Sequence, residues 1–346
     1  MSALAAFLIT LVLIPLAKSL ALRIDLVDKP GGRKQHEDEV PPVGGLIILP
    51  VFMVLAVFLS GADLGNYGVF FIALILLLVI GAIDDHASLS AWIKFPMQIF
   101  IAFLVVMAGG ARVYTLSNMF GFGELGLGFM SVPFSMAAIV LLINAVNLMD
   151  GLDGLAAGKS FVALGWLMVA CIVGKQPEFV LAMAPLMGAL AGFLVYNMRH
   201  PFRSRASVFL GDAGSMGLGL TLGWFCIVLT QNPHHVLEPI SIAWILALPI
   251  IDTCAQFYRR VKEGRHPFSP DRGHFHHHLI HAGIPVAYST ALILMLGFVL
   301  GGIGYIGILL GIPQYVLTLA WIALLFAHMG LSLKREVYIH LFSHLR

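Results

Sequence analysis

Asn144-Ala-Val-Asn147-Leu-Met-Asp150-Gly-Leu-Asp153-Gly-Leu-Ala-Ala-Gly158 closes an almost unbroken apolar run that begins at Val132. Four amide or carboxylate side chains follow at three-residue spacing, as if a helix were leaving a bilayer and turning polar where it meets water. Even on a lenient insertion scale an Asp at the centre of a membrane helix costs ~3 kcal/mol. Carboxylates kept in such segments therefore gather at helix ends or in cavities, where they mark function.

The rest of the chain agrees with a membrane setting. Of 346 residues, 59% are hydrophobic and 11% charged, against roughly 25% charged in a soluble domain. The 36 glycines suit close approach of membrane helices. Apolar runs of about 17 to 25 residues qualify as spans. They are centred near Leu11, Met53, Leu76, Ile101, Ile139, Trp166, Gly188, Leu220, Leu246, Gly297 and Ala320. The expected fold is an all-α polytopic integral membrane protein of about eleven transmembrane helices, a single membrane-embedded domain over residues 1–346. The fourth span, Phe95 to Met107, is the shortest.

The first span has no basic residue before it and is followed by Lys18, Arg23 and Lys29. This polarity predicts an uncleaved span with the N-terminus outside. Alternation from there puts the C-terminus in the cytoplasm and all but Arg112 and Lys175 of the 20 Lys and Arg on the cytoplasmic side. A net charge of +2 without a water-facing basic domain excludes nucleic acid as a partner. Cys171, Cys226 and Cys254 stand far apart in apolar runs and read as packing residues. The long outer connection from Gly109 to Ser131, rich in glycine after Phe120, is expected to form a small hairpin with a structural role.

On this topology Asp84 and Asp85 end span three, Asp150 and Asp153 end span five, Asp212 begins span eight, and Asp252 lies near the inner end of span nine. Their convergence on one membrane face points to a shared site. Adjacent carboxylates such as Asp84 and Asp85 repel unless a cation or proton separates them. Mg²⁺, with Mn²⁺ as the alternative ion, is the natural choice beside a phosphate-bearing substrate, because it takes one or two carboxylates and keeps several waters. Asn147 and Asp212 can add further oxygens. In Phe209-Leu-Gly-Asp212-Ala-Gly-Ser215 a carboxylate and a glycine turn stand at a helix start, where free N–H groups favour an anion. Phe209 either stacks on a base or is simply core.

The segment Arg272-Gly-His274-Phe-His276-His277-His278 invites a zinc reading, but no Cys or HExxH partner accompanies it. Histidines beside an arginine suit phosphate oxygens better, as donors without fixed charge. Lys94, nine residues after Asp85, either snorkels or faces the site. An ion-coupled transporter is the alternative outside the enzymes, and it would scatter carboxylates toward the bilayer midplane rather than crowd one face.

Taken together, Asp84-Asp85, Asn144-Ala-Val-Asn147-Leu-Met-Asp150-Gly-Leu-Asp153-Gly, Phe209-Leu-Gly-Asp212 and Pro270-Asp-Arg-Gly-His274-Phe-His276-His277 resemble the polyprenyl-phosphate N-acetylhexosamine-1-phosphate transferases, and within them the bacterial enzymes acting on undecaprenyl phosphate and UDP-GlcNAc. The motifs occur in the family order, from the first inner loop through the last span. The resemblance implies transfer of GlcNAc-1-phosphate from UDP-GlcNAc to undecaprenyl phosphate with Mg²⁺. It also implies a site on the cytoplasmic face of the bacterial inner membrane and an initiating role in cell-surface glycan synthesis. The aspartate motifs are shared with the branch that takes UDP-MurNAc-pentapeptide, and transferases of other UDP-N-acetylhexosamines look similar, so the donor sugar stays open.

By resemblance, Asp84, Asp85, Asp150, Asp212 and Lys94 form the catalytic set, with Asp84, Asp85 and Lys94 beside the lipid phosphate. Asn147 and Asp212 are the implied metal ligands. Asn144, Asp153, Phe209, Arg272, His274, His276 and His277 are the implied substrate-binding residues, Asp153 and Phe209 toward the uracil. Span nine resembles a bent helix lining a polyprenyl groove, and Pro249 is a sensible place for the bend. Membrane lipids are the remaining partners, and a homodimer is left open.

Overall fold

The computed structural model describes residues 1–28, 39–266 and 273–342. Among these the chain is all-helical, with three isolated β-bridges and no strand. In order come α1 (Ser2–Arg23), α2 (Gly44–Phe58), α3 (Leu64–Ala87), α4 (Ala91–Met107), α5 (Ser131–Leu148), α6 (Leu155–Val173), α7 (Pro177–Asn197) and α8 (Gly211–Val228). They are followed by α9 (Pro239–Ile245), α10 (Ala247–Lys262), α11 (Phe275–His281), α12 (Val286–Leu309), α13 (Gln314–Ser332) and α14 (Arg335–Phe342).

Each of the eleven apolar runs folds as a helix, except that the ninth is the pair α9 and α10, bent by 77°. Among the described residues seven helices are long and apolar enough to cross a membrane, or eight if the bent pair counts as one span. The remaining three fall short for physical reasons. Helices α2 and α4 are shorter, and α8 opens on glycine and aspartate.

Helix α8 nevertheless sits at the centre of the bundle, buried from Ala213 to Val228 and packed by α2, α3, α5 and α6. A helix surrounded by protein needs no lipid-facing stripe. The close approach is made by glycine. A Cβ on Gly45 of α2 would overlap the backbone of Gly214, and one on Gly81 of α3 would overlap that of Ala213. Both contacts lie in the first turn of α8, so they fix the end of the bundle where the aspartates stand.

At the opposite end the connection between α4 and α5 forms the expected hairpin, with Leu116 N–H donating to Leu125 O at 2.9 Å and Leu127 N–H to Tyr114 O at 2.8 Å. Phe120 and Phe122 stack at its tip, ring centroids 5.8 Å apart. Cys171 and Cys226 are buried and all three cysteines are free thiols.

Candidate functional site

Four helix ends build the site. Helix α3 ends on Asp84 and Asp85, α4 brings Lys94 on its first turn, α5 brings Asn144 and Asn147, and α8 starts at Gly211-Asp212. The backbone before α8 is tied to the start of α2: Phe209 N–H donates to Pro41 O at 2.9 Å, Gly44 N–H to Phe209 O at 2.9 Å and Gly45 N–H to Leu210 O at 2.8 Å. Gly211 adopts φ 76°, and a Cβ there would lie 2.6 Å from the Asp85 carboxylate. Only glycine lets α8 begin so close to α3.

Asp85 accepts the backbone N–H of Asp212 at 2.8 Å and of Ala213 at 3.3 Å. It thus caps the N-terminal end of α8 from another helix, satisfying donors that the helix itself leaves unpaired. Asp84 is 4% exposed. It accepts Leu89 N–H at 2.7 Å and lies 2.6 Å from Lys94 Nζ, which also stands 3.8 Å from Asp212. Lys94 therefore faces the site. Asn147 donates to Asp212 Oδ1 at 2.7 Å and to Ser215 Oγ at 2.9 Å, which sets the side chains of α5 and α8 side by side.

Asp150 lies just beyond α5, its surface open to water but hemmed in by protein on all other sides. That crowding, with the carboxylates of Asp212, Asp85 and Asp153 nearby, holds its carboxyl well above the ordinary carboxylate range. Asp153 is engaged by its own neighbours, with Arg199 Nε at 2.7 Å and Ala206 N–H at 3.2 Å on Oδ2. Neither Arg199 nor the loop that carries it was singled out in the sequence, because one arginine in a basic loop reads as ordinary charge bias.

Asn144 points the other way, donating to Gln98 Oε1 at 2.7 Å and to Val140 O at 2.8 Å. It stands at the edge of an apolar groove of about 420 Å³ between α4, α5 and α10, lined among others by Phe95, Ile99, Ala137, Val140 and Phe257. Gln98 of α4 was not read as a site residue. An isolated glutamine in an apolar run carries no signal until its partner is known.

The histidine segment folds as α11 and is anchored by Asp252 of α10. Asp252 Oδ2 lies 2.8 Å from His274 Nδ1, while Oδ1 accepts Phe275 N–H at 3.0 Å and meets His328 Nε2 of α13 at 3.3 Å. His274 and His276 stack at 5.7 Å, and His276 and His277 rings lie 4.2 Å apart. His276 is buried with Nε2 against Gly151, so α11 closes onto the turn that carries Asp150. Burial first, then the neighbouring His277 and His274, push its imidazole well below the ordinary histidine range. Arg272 lies outside the described residues.

No three His, Cys, Asp or Glu side chains converge as metal ligands among the described residues. Asn147 here turns its amide N–H toward the Asp212 carboxylate; with the amide turned over, its oxygen beside that carboxylate fits a hard cation such as Mg²⁺, which needs few protein donors when phosphate and water supply the rest.

Residues 67–230 match the model of Glycosyl transferase family 4. Over 330 residues the chain is 32% identical to the undecaprenyl-phosphate alpha-N-acetylglucosaminyl 1-phosphate transferase of Yersinia pestis, covering 95% of this chain and 90% of that protein. The protein of the same name from Escherichia coli (strain K12) is 30% identical over 334 residues, covering 95% and 89%. A probable undecaprenyl-phosphate N-acetylglucosaminyl 1-phosphate transferase of Bacillus subtilis (strain 168) is 32% identical over 295 residues, covering 85% and 80%. With similarity along nearly its whole length and the motif aspartates gathered at one end of the bundle, the chain belongs to the undecaprenyl-phosphate N-acetylglucosaminyl 1-phosphate transferases of glycosyl transferase family 4.

Proposed function

We propose that the chain transfers GlcNAc-1-phosphate from UDP-GlcNAc to undecaprenyl phosphate, releasing UMP. The observation that carries this reading is Lys94, poised between Asp84 and Asp212, directly before Phe95 and five residues before Ile99, which both line the apolar groove. A phosphate held at Lys94 leaves its polyprenyl chain along that groove. A phosphate monoester has a second pKa of about 6 and is mostly dianionic at neutral pH, so the nucleophile needs little help from a base.

In the proposed step an oxygen of the lipid phosphate bonds to the β-phosphorus of the nucleotide sugar, and the bond from that phosphorus to the bridging oxygen breaks. UMP leaves with the electron pair. Lys94 holds the lipid phosphate and offsets charge in the transition state. Asn147 and Asp212 would hold Mg²⁺, or Mn²⁺ in its place, which supplies further charge neutralisation at the diphosphate. Asp153, fixed by Arg199, and Phe209 would receive the uracil, with His274, His276 and His277 toward the diphosphate and sugar.

For the membrane setting we take all eleven helical runs as spans, with α2, α4 and α8 completing the count. The basic residues crowd the aspartate end, which favours a cytoplasmic site in the bacterial inner membrane, N-terminus outside.

Membranes containing the overexpressed chain, supplied with undecaprenyl phosphate, Mg²⁺ and a panel of UDP-sugars, test the reading. UMP release with UDP-GlcNAc that stops on chelation and returns with Mg²⁺ is expected. Release only with another donor moves the assignment to that sugar, and release with none overturns it.

A further inference from the structure

Lys159 lies in α6, six residues after Asp153, and is 4% exposed. Among the described residues no carboxylate is paired with it, and it donates to the carbonyl of Ile245, 2.9 Å from Nζ. A lysine buried in a membrane helix for a single hydrogen bond is costly, and the proposed reaction gives it no task.

The carbonyl it meets is a special one. In an unbroken helix Ile245 O would accept the N–H of residue 249, but position 249 is proline and has none. Ile245 is the last residue of α9, and α10 departs from it at 77°. The side chain reaches this break by crossing Gly297 of α12, where a Cβ would lie 2.7 Å from Nζ. A cavity beside it, lined by Leu246 and Pro249, has a volume of only about 10 Å³. That is too little for a water to take over the role comfortably.

We propose that Lys159 is a positioning residue: by donating to the carbonyl that Pro249 leaves open, it fixes the angle between α9 and α10 and so places the groove wall that receives the lipid acceptor. The bend decides where α10 carries Phe257, which lines the groove, and Asp252, which anchors His274. Because α6 follows directly on the Asp150 to Asp153 turn, the same bond ties the hinge to the aspartate cluster. This rests on the reaction proposed above.

The test is a cycle of wild type, Lys159→Met, Pro249→Ala and the double variant. Lys159→Met keeps the volume and loses the donor. The expected result is a roughly tenfold rise in KM for undecaprenyl phosphate, with KM for UDP-GlcNAc changing less than about twofold. In the Pro249→Ala background, where a backbone N–H can reach Ile245 O, the same change should add less than about twofold. Lys159→Gln, a shorter donor, should fall between.

Independently of turnover, spin labels at the exposed residues His235 and Val261, with the three cysteines replaced, report the bend. Their distance distribution should lengthen or broaden in Lys159→Met. An unchanged distribution, or an equal effect of Lys159→Met in both backgrounds, overturns the proposal. If wild type releases no UMP from UDP-GlcNAc, the proposed reaction fails while the label distances still decide the hinge.

Discussion

Asp85, at the end of α3, accepts the backbone N–H of Asp212 at the start of α8, at 2.8 Å. One carboxylate thereby holds two helices at the site, and its charge and its capping role can be separated. Asp85→Ala should cost about 1 kcal/mol of stability, as loss of a helix cap does. Asp85→Asn keeps an acceptor oxygen and should lose less stability, yet turnover should fall by about a hundredfold because the charge is gone. Thermal unfolding in detergent and UMP release measure the two effects; equal loss of activity and stability in both variants would reduce Asp85 to a cap.

Lys94→Met leaves the Asp84 carboxylate buried with the Leu89 N–H. A destabilisation of about 2 kcal/mol is expected, because a buried charge has lost its partner, and turnover should fall by at least about a hundredfold. Lys94→Arg should recover part of both. Unaltered turnover in Lys94→Met would remove it from the phosphate site.

Ala137 faces the groove from α5. Ala137→Trp should fill it and raise KM for undecaprenyl phosphate by roughly tenfold, while KM for UDP-GlcNAc stays within about twofold. A short water-soluble prenyl phosphate should be far less affected. Equal shifts for both substrates would place the lipid elsewhere.

His276 is buried in its neutral form, so its folded pKa lies below the ordinary value of 6.5. As pH falls through that value the unfolded chain takes up a proton that the folded chain refuses. Stability is therefore complete above pH 6.5 and is lost below it, by up to about 1.4 kcal/mol per pH unit from this one group. His276→Leu should flatten the acid limb of the unfolding temperature measured from about pH 7 down to about pH 5. An identical limb in the variant would show that the proton goes elsewhere.

Much of the site could be read along the chain because its motifs are local. Asp84 and Asp85 are neighbours, and Asn147 and Asp150 stand at helical spacing on a terminus, where a charge in an apolar context is conspicuous. Gln98, Arg199 and Lys159 were not legible in the same way. Each takes its meaning from a partner far off in sequence: Asn144 for Gln98, Asp153 for Arg199 and the Ile245 carbonyl for Lys159. Asp252 lies between these cases. Its place in a span marked it, but its role as anchor of α11 depends on His274 and His328, from two other elements.

The sequence by itself determined that this is a helical membrane protein with its carboxylates at one end, since the cost of charge in hydrocarbon acts locally on every residue. The resemblance implied a bend in span nine, and Pro249 offered a place for it because its missing N–H is a property of the residue. What only the tertiary structure decided is which donors and acceptors meet: Asp85 as the cap of α8, Lys94 between two aspartates, α8 at the protein-lined centre and Lys159 on the broken turn. Those pairings depend on how closely helices approach, and glycine contacts such as Gly45 on Gly214 set that distance only once the bundle is assembled.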